Sequence, residues 1–259
     1  MKIASFNING IKARLPALLD WLAEAKPDVA VLQEIKSVDE NFPREAIEDA
    51  GYAVETHGQK SFNGVAILSR LPLEDVRRGL PGDDSDEQAR WIEATVVGET
   101  AVRICGLYLP NGNPAPGPKY DYKLAWMERL RDRAAEILET EEAAVLAGDY
   151  NVIPMDEDCY DPAAWATDAL FLPRTRDAFR RIVNLGYTDA LRVVDASPGV
   201  YTFWDYQAGA WPKDHGIRID HMLLTPQAAD RLVTCEIDRA VRGREKPSDH
   251  TPIWVELDA

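Results

Sequence analysis

Two apolar periods alternate along this chain. Short apolar runs of strand length are followed by stretches in which apolar residues recur every three or four positions. Ile3 to Asn7 reads as a strand. Leu15, Leu18, Leu19 and Leu22 predict an amphipathic helix over 14–25, stopped by Pro27. Val29-Ala30-Val31-Leu32 is a wholly apolar strand that ends in Gln33-Glu34. A helix is expected over 42–50, closed by Gly51. Tyr52 to Thr56, Gly64 to Ser69, Trp91 to Val97 and Val102 to Leu109 are β-rich runs with Gly, Pro or acidic turns between them. Pro110 to Pro118 is too rich in Pro and Gly for regular structure and reads as a surface loop. The longest helix is expected over 119–140, with Leu124, Met127, Leu130, Ala134 and Ile137 on one face. Ala144 to Ala147 is another buried strand, halted at Gly148-Asp149. Helices at 176–185 and 188–195, and strands at 200–205, 217–224, 233–238 and 252–257, complete the pattern. Strands outnumber helices and several are consecutive, which excludes a simple β-α alternation. Two packed sheets with helices on their outer faces accommodate it.

Length suits one large α/β domain or two small ones, and no linker, low-complexity tract or close repeat divides the 259 residues. Residues 1–259 are therefore read as one domain. Hydrophobic content of 46% with 28% charged residues is that of a soluble globular protein, and no apolar run is long enough to span a membrane. The N-terminus enters a strand directly and lacks the pattern of a signal peptide. Cys105, Cys159 and Cys235 are far apart and form no CxxC, which argues against a disulfide framework or zinc site and for a reducing compartment. A cytoplasmic location is the expectation.

The net charge of −15 changes the picture, because a protein that coats nucleic acid needs cations for phosphate contacts. The charge is segregated, however. Asp83 to Glu87 and the acids from Glu136 to Asp161 carry much of the negative charge. Arg174, Arg176, Arg180, Arg181, Arg192, Lys213, Arg218, Arg239, Arg242, Arg244 and Lys246 make the last third locally basic. A basic face on the folded surface is one expectation; solvated charges without a partner is the plainer one.

Polar groups stand where apolar runs end. Residues two apart on a strand point the same way, so Asp149 and Asn151 can face one cleft while Tyr150 turns aside. A carboxylate there can orient or deprotonate water, and an amide can donate to phosphate; a turn or helix cap uses the same Asp-x-Asn pattern. Glu34 ends an apolar strand, either solvated or as one of the few carboxylates with which proteins hold Mg²⁺. Asp249 and His250 are adjacent and face different ways. That leaves Asp220 to orient His250 and Asp249 to reach a metal, with the imidazole favoured as a cation. Asn7 shares the strand-end position. Tyr108 precedes the loop as a packed ring whose phenol can meet phosphate. His57, His215 and His221 read as satisfied surface or core residues.

Those residues, in this order, resemble the exonuclease III and apurinic/apyrimidinic endonuclease family of the endonuclease/exonuclease/phosphatase superfamily. The resemblance runs nearly end to end. It includes Phe6 to Arg14, Leu32-Gln33-Glu34, Gly58 to Ser69, Tyr108 to Gly112, Lys123 to Met127, Gly148 to Asn151, Tyr201 to Tyr206, Gly216 to Asp220 and Ser248-Asp249-His250. It implies a four-layered α/β sandwich of two packed, mainly antiparallel β-sheets flanked by helices. It also implies a Mg²⁺ or Mn²⁺ enzyme, a monomer, that cuts double-stranded DNA 5′ to abasic sites, leaves a 3′-hydroxyl and trims 3′ ends. Carried over by residue, Glu34 is the main metal ligand with Asn7 and Asp249 beside it. Asp149 activates water, Asn151 and Tyr108 contact the scissile phosphate, and His250, oriented by Asp220, stabilises developing charge. Phe203, Trp204 and Ile219 match an apolar pocket for the base-less sugar; Arg14, Lys60, Asn63 and Asn111 match backbone-contacting positions. A small flipped sugar suits a tight slot, since unstacking costs least where pairing is already lost. Ile217 departs from an aromatic found in some relatives, and the loop after Asn111 is unusually rich in Pro. Two alternatives stand beside this reading: a phosphoesterase of the superfamily acting on RNA, phosphoinositide or sphingolipid, and a nucleic-acid-binding regulator without catalysis. The second predicts loss of Glu34, Asp149, Asn151, Asp249 or His250, all of which are present.

Overall fold

A computed structural model describes residues 1–258. In chain order it contains β1 (Lys2–Asn7), α1 (Ile11–Ala25), β2 (Val29–Gln33), α2 (Arg44–Glu48), β3 (Ala53–His57), β4 (Val65–Ser69) and β5 (Leu73–Arg78). Next come β6 (Trp91–Val97), β7 (Ala101–Tyr108), α3 (Pro118–Glu139), β8 (Ala144–Asp149), α4 (Pro162–Trp165) and α5 (Pro173–Val183). The chain closes with β9 (Thr188–Asp189), α6 (Ala190–Val194), α7 (Ala210–Lys213), β10 (Asp220–Leu224), α8 (Pro226–Ala229), β11 (Leu232–Ile237) and β12 (Ile253–Leu257).

The strands form two six-stranded sheets, ordered β11-β12-β1-β2-β4-β3 and β5-β6-β7-β8-β10-β9. Each sheet has one parallel pair at its centre and antiparallel neighbours elsewhere. In the first, β1 and β2 run parallel through the α1 crossover, with Asn7 opposite Gln33. In the second, β7 and β8 run parallel through α3, with Tyr108 opposite Asp149. Parallel strands buried on both faces need continuous apolar sequence, which VAVLQ and AVLAGD supply, and both are buried throughout. Ile3, Val31 and Val65 of one sheet and Ile92, Ile104 and Val145 of the other share a single core cluster. The sheets therefore pack face to face. Gly106 permits the approach, since a Cβ there would lie 2.5 Å from Val31 Cγ1. Helices α1 and α3 cover the outer faces through Leu18, Trp21 and Leu22 and through Trp126, Leu130 and Ile137. The expected sandwich is present. Among the described residues no helix is long and apolar enough to cross a membrane.

Three expectations need correction. The β-branched and aromatic run 200–205 is not a strand; Phe203 makes isolated bridges to Ile217 and His250. Its amides are divided between two segments, Thr202 and Phe203 donating to Ile217 O and Trp204 to Asp249 O, so no ladder forms. Strand β5 escaped the pattern reading because this edge strand, LEDVRR, has no fully buried residue and a bulge between Glu74 and Arg77. The helices expected at 42–50 and 188–195 are only five residues each, Arg44–Glu48 and Ala190–Val194, the latter preceded by β9.

The basic last third is also not a free basic face. Arg176, Arg180, Arg181, Arg192, Arg239 and Arg244 pair with Asp156, Asp177, Glu128, Asp158, Asp214 and Glu24. Arg218 is fully buried and bound to Asp158 and Asp189. Its Nη1 also donates to His221 Nδ1 at 3.0 Å, while His221 Nε2 lies 2.9 Å from Val152 O. A guanidinium can only donate and a carbonyl only accept, so His221 is held neutral with its proton on Nε2. Burial first, and Arg218 second, lower its pKa to about 4. The unfolded chain takes up this proton near pH 6.5 while the folded protein does not, so stability falls as pH drops from about 6.5 toward 4. The loss is about 3 kcal/mol at one pKa unit per 1.36 kcal/mol. His221→Gln should be less stable at pH 7 but shallower in this window. Urea midpoints at pH 7 and 4.5 test it, and equal slopes for both proteins would sink the assignment.

Candidate active site

The carboxyl ends of the two parallel pairs lie at the same edge of the sandwich. Asn7 closes β1, Glu34 follows β2, Tyr108 closes β7 and Asp149 closes β8. The Asn7 side-chain nitrogen donates to Glu34 Oε1 at 3.0 Å and to Asp149 Oδ2 at 2.9 Å, joining the two sheets. Its oxygen accepts from Asn9 N at 3.0 Å, which fixes the orientation of the amide. Asp149 pairs with Asp220 across β8 and β10, and Asp220 Oδ2 accepts from His250 Nδ1 at 2.8 Å. The other imidazole nitrogen lies 3.7 Å from Asp149 Oδ2. Ligand atoms of Glu34, Asp149 and His250 all fall within 4.8 Å of one another.

Backbone conformation marks the same place. Asn9, Glu34, Asn63 and Asn151 all have positive φ, between 47° and 55°. Non-glycine residues adopt that region at a cost, and such residues cluster where function requires them. Asn151 N donates to Asp149 Oδ1 at 2.8 Å, so the Asp-x-Asn pattern is a turn as well as part of the site.

Electrostatics follow from burial and pairing. Burial is the largest influence on His250 and opposes its charge, but Asp220 and Asp149 outweigh it and raise its pKa to about 10. The ring is a cation at neutral pH. Burial raises the Asp149 carboxyl to about 7, against the pull of His250. Burial would also raise Glu34, but hydrogen bonds from Asn7 and Lys36 hold it below the usual range. Tyr108 is pushed well up by burial and by the Glu34 and Asp149 charges, so its phenol remains a donor. Glu34 thus stays ionised, Asp149 is poised near neutrality, and an imidazolium lies 3.7 Å from it. This donor set is rich in carboxylate oxygen, as hard divalent cations prefer. A protonated imidazole cannot ligate, so of the three close groups the ionised Glu34 is the one suited to hold an ion, and His250 would face the substrate's charge.

Comparison with known proteins agrees. The model of the endonuclease/exonuclease/phosphatase family matches residues 4–250. The chain belongs to this family. It is 35% identical to exodeoxyribonuclease III of Haemophilus influenzae, over 99% of this chain and 100% of that protein. An AP endonuclease from Archaeoglobus fulgidus superposes with a TM-score of 0.95 at 38% identity, with both chains fully covered. A 3′ phosphatase from Neisseria, solved with a product DNA hairpin, gives 0.96 at 38%, again with both fully covered. The family member described here is a phosphodiester hydrolase of the nuclease type.

The predicted residues fall into three groups. Asn7, Glu34, Tyr108, Asp149, Asn151, Asp220 and His250 come together. Asp249 lies to one side, accepting from Asn9 Nδ2 at 3.0 Å, and is not in the cluster of close ligand atoms. Among residues expected at DNA, Lys60 is exposed, Asn111 donates to Asn151 Oδ1 at 3.2 Å, and Asn63 lines an open cleft of about 540 Å³ with Glu34, Arg90 and Tyr108. Arg14 reaches Tyr206 Oη at 3.0 Å. The expected apolar pocket is mostly filled. Trp204 has no free surface and binds Asp214, and Ile219 is packed with Ile153, Leu170 and Ile217. Only Phe203 is partly open, its ring edge-on to His250 at 5.0 Å between centroids.

Sequence reading missed Lys123 and Lys36. Lys123 is wholly buried on α3 and donates to Pro110 O, Asn111 O and Asn151 O at 3.0, 3.2 and 2.6 Å, with burial lowering its pKa to about 7. It binds the loop to the Asn151 turn. Its position on the apolar face of a helix, one residue before Leu124, was the available signal. Lys36 sits 2.9 Å from Glu34 Oε2 and also donates to Asn9.

The Asp220 carboxylate serves His250 through one oxygen, while Oδ1 finds no hydrogen-bond donor among the described residues. Asp220→Asn should therefore let the His250 pKa fall by more than about one unit. In the parent protein the raised His250 pKa adds stability that is full below about pH 6.5 and is lost as pH rises through about 10. The variant should lose that slope. NMR titration of the imidazole, with denaturation midpoints at pH 7 and 9.5, reads both; an unmoved imidazole pKa would remove Asp220 from this role.

Proposed function

We propose that this enzyme is a Mg²⁺- or Mn²⁺-dependent DNA-repair phosphodiesterase of the cytoplasm, acting as a monomer and as one catalytic unit. It cuts duplex DNA 5′ to abasic sites, leaving a 3′-hydroxyl, and removes groups from 3′ ends. The observation that carries this is the Asn7 amide holding Glu34 and Asp149 together beneath an imidazolium 3.7 Å from Asp149.

The roles follow from surroundings. Glu34, ionised and at the cleft, would be the principal metal ligand. Asn7 and Asp249 stand beside it, Asp249 being joined to Lys36 through Asn9. The ion would supply charge for the scissile phosphate and the leaving oxygen. Asp149, with a pKa near the working pH, accepts a proton from the attacking water. Tyr108, Asn111 and Asn151 present donors to phosphate oxygens, and His250 offers Nε2–H to the developing charge while Asp220 holds its Nδ1–H. Arg14, Lys60 and Asn63 line the approaches where the DNA backbone would run. Phe203 is the accessible part of the apolar wall, with Trp204 and Ile219 as its support.

One observation favours a second emphasis within this reading. Because Leu170, Ile217 and Ile219 fill the apolar cluster, seating an internal base-less sugar requires side chains to yield, whereas a frayed 3′ terminus need not enter so far. The 3′-end activity would then exceed the endonuclease.

Purified protein with Mg²⁺, and an EDTA control, should cleave two labelled duplexes, one with a central abasic site and one with a recessed 3′ end. Glu34→Ala should raise the Mg²⁺ needed for half-maximal rate. Asp149→Asn should lower turnover at least about a hundredfold while affinity for an uncleavable abasic analogue changes little. Full activity of Glu34→Ala at limiting Mg²⁺ would take Glu34 out of the metal site. Metal-dependent hydrolysis of RNA or of a phosphoinositide with both duplexes intact would overturn the DNA assignment.

A further inference from the structure

Besides Lys123, one side chain of the loop Pro110 to Pro118 fastens it to residues 168–169. Asn113 Nδ2 donates to both oxygens of Asp168 at 3.1 Å, and Asn113 Oδ1 accepts from Ala169 N at 3.0 Å. On its other side, Asn113 N and Nδ2 reach Asn111 Oδ1 at 3.2 and 3.0 Å. Asn111 Nδ2 continues to Asn151 Oδ1, and Asn151 N to Asp149 Oδ1. An unbroken series of hydrogen bonds thus runs from residues 168–169 to the carboxylate that faces His250.

The far end of this series is not a neutral anchor. Asp168 Oδ1 accepts from Leu170 N at 2.8 Å, and Leu170 O accepts from Ile153 N. Leu170 packs on Ile217 and Ile219 in the apolar cluster that Phe203 borders. Asn151 follows β8 and is tied to the cluster through Ile153, two residues on, whose amide donates to Leu170 O, whereas Asn111, on the β7–α3 segment, has no covalent tie to Leu170 on the α4–α5 segment. Asn113 supplies the tie. Gly112 allows the close approach, a Cβ there falling 3.3 Å from Ala169 Cβ.

We infer that Asn113 is a positioning residue that braces Asn111, one of the two amides facing the phosphate, against the apolar wall at Leu170, and so sets the preference between internal lesions and 3′ termini. The inference rests on the proposed function above. An internal base-less sugar must meet the apolar wall and the amide pair at once, so a loosened spacing weakens its binding. A terminal nucleotide relies chiefly on the amides.

Three variants test this: Asn113→Ala, Asn113→Asp, and Asn113→Asp combined with Asp168→Asn. Asn113→Asp faces one carboxylate with another, and the double variant restores an amide opposite a carboxylate. For Asn113→Asp, kcat/KM at a central abasic site should fall about tenfold, mostly in KM, and 3′-nucleotide removal less than about threefold. The double variant should regain most of the loss, as residues in one network do not act additively. In Asn113→Ala the Ala169 amide should exchange its hydrogen faster while the melting temperature stays close to that of the parent. Equal losses on both substrates, or no recovery in the double variant, would overturn the inference. If the parent cleaves neither duplex, the proposed function fails instead. The clamp then stands or falls on Ala169 exchange, and unchanged protection in Asn113→Ala refutes it.

Discussion

One side-chain amide links the two halves of this protein. Asn7 sits at the end of a strand in the first sheet and donates from one nitrogen to Glu34 beside it and to Asp149 in the second sheet. Two carboxylates this close, one buried and one partly so, repel each other, and each is costly to ionise away from water. A donor between them offsets part of that cost only if the sheets meet in fixed register. The core between the sheets supplies the register, and Gly106 allows the close approach. Asn7 is held from behind as well, its carbonyl accepting from Ser248 Oγ at 2.7 Å. That contact brings the segment bearing Asp249 and His250 over the end of β1.

Around this link the charges are unequal in a useful way. Glu34 keeps its charge because Asn7 and Lys36 donate to it; Asp149 has its carboxyl raised by deeper burial. Two similar groups are thereby separated into one that stays ionised and one whose carboxyl is raised, the pattern expected where neighbouring carboxylates share a site. His250 is charged because Asp220 and Asp149 flank it. Each of these states depends on a partner from another segment. Most arginines of the last third form ion pairs with nearby acids, which stabilise little at the surface but leave few cations free. Arg90, which lies over the Tyr108 ring in the cleft, and the exposed Lys60 stand outside these ion pairs.

The polar framework beyond the reacting groups is made of donors facing carbonyls. Lys123 places an ammonium against three of them, and Asn113 connects two loops. Buried polar groups require such partners, and satisfying several with one side chain makes the loops rigid together. The Pro-rich segment is consequently a fixed wall of the site.

Local sequence determined the parts and their polarity. Apolar runs such as Val29–Gln33 and Ala144–Asp149 had to be buried strands, and the residues that ended them had to emerge at a sheet edge. The order of motifs marked Glu34, Asp149, Asn151 and His250 as candidates for chemistry. Tertiary structure decided everything that depended on which edge met which. Residues 200–205 have strand composition, yet competition between Ile217 and Asp249 for their amides denied them a ladder. Trp204 and Ile219 belong to an apolar motif, but packing turned them inward as support. Arg218, read from sequence as part of a basic stretch, became a buried partner of Asp158, Asp189 and His221. Burial and pairing are properties of groups brought together from distant positions, whereas periodicity is a property of neighbours, and only the latter is written along the chain.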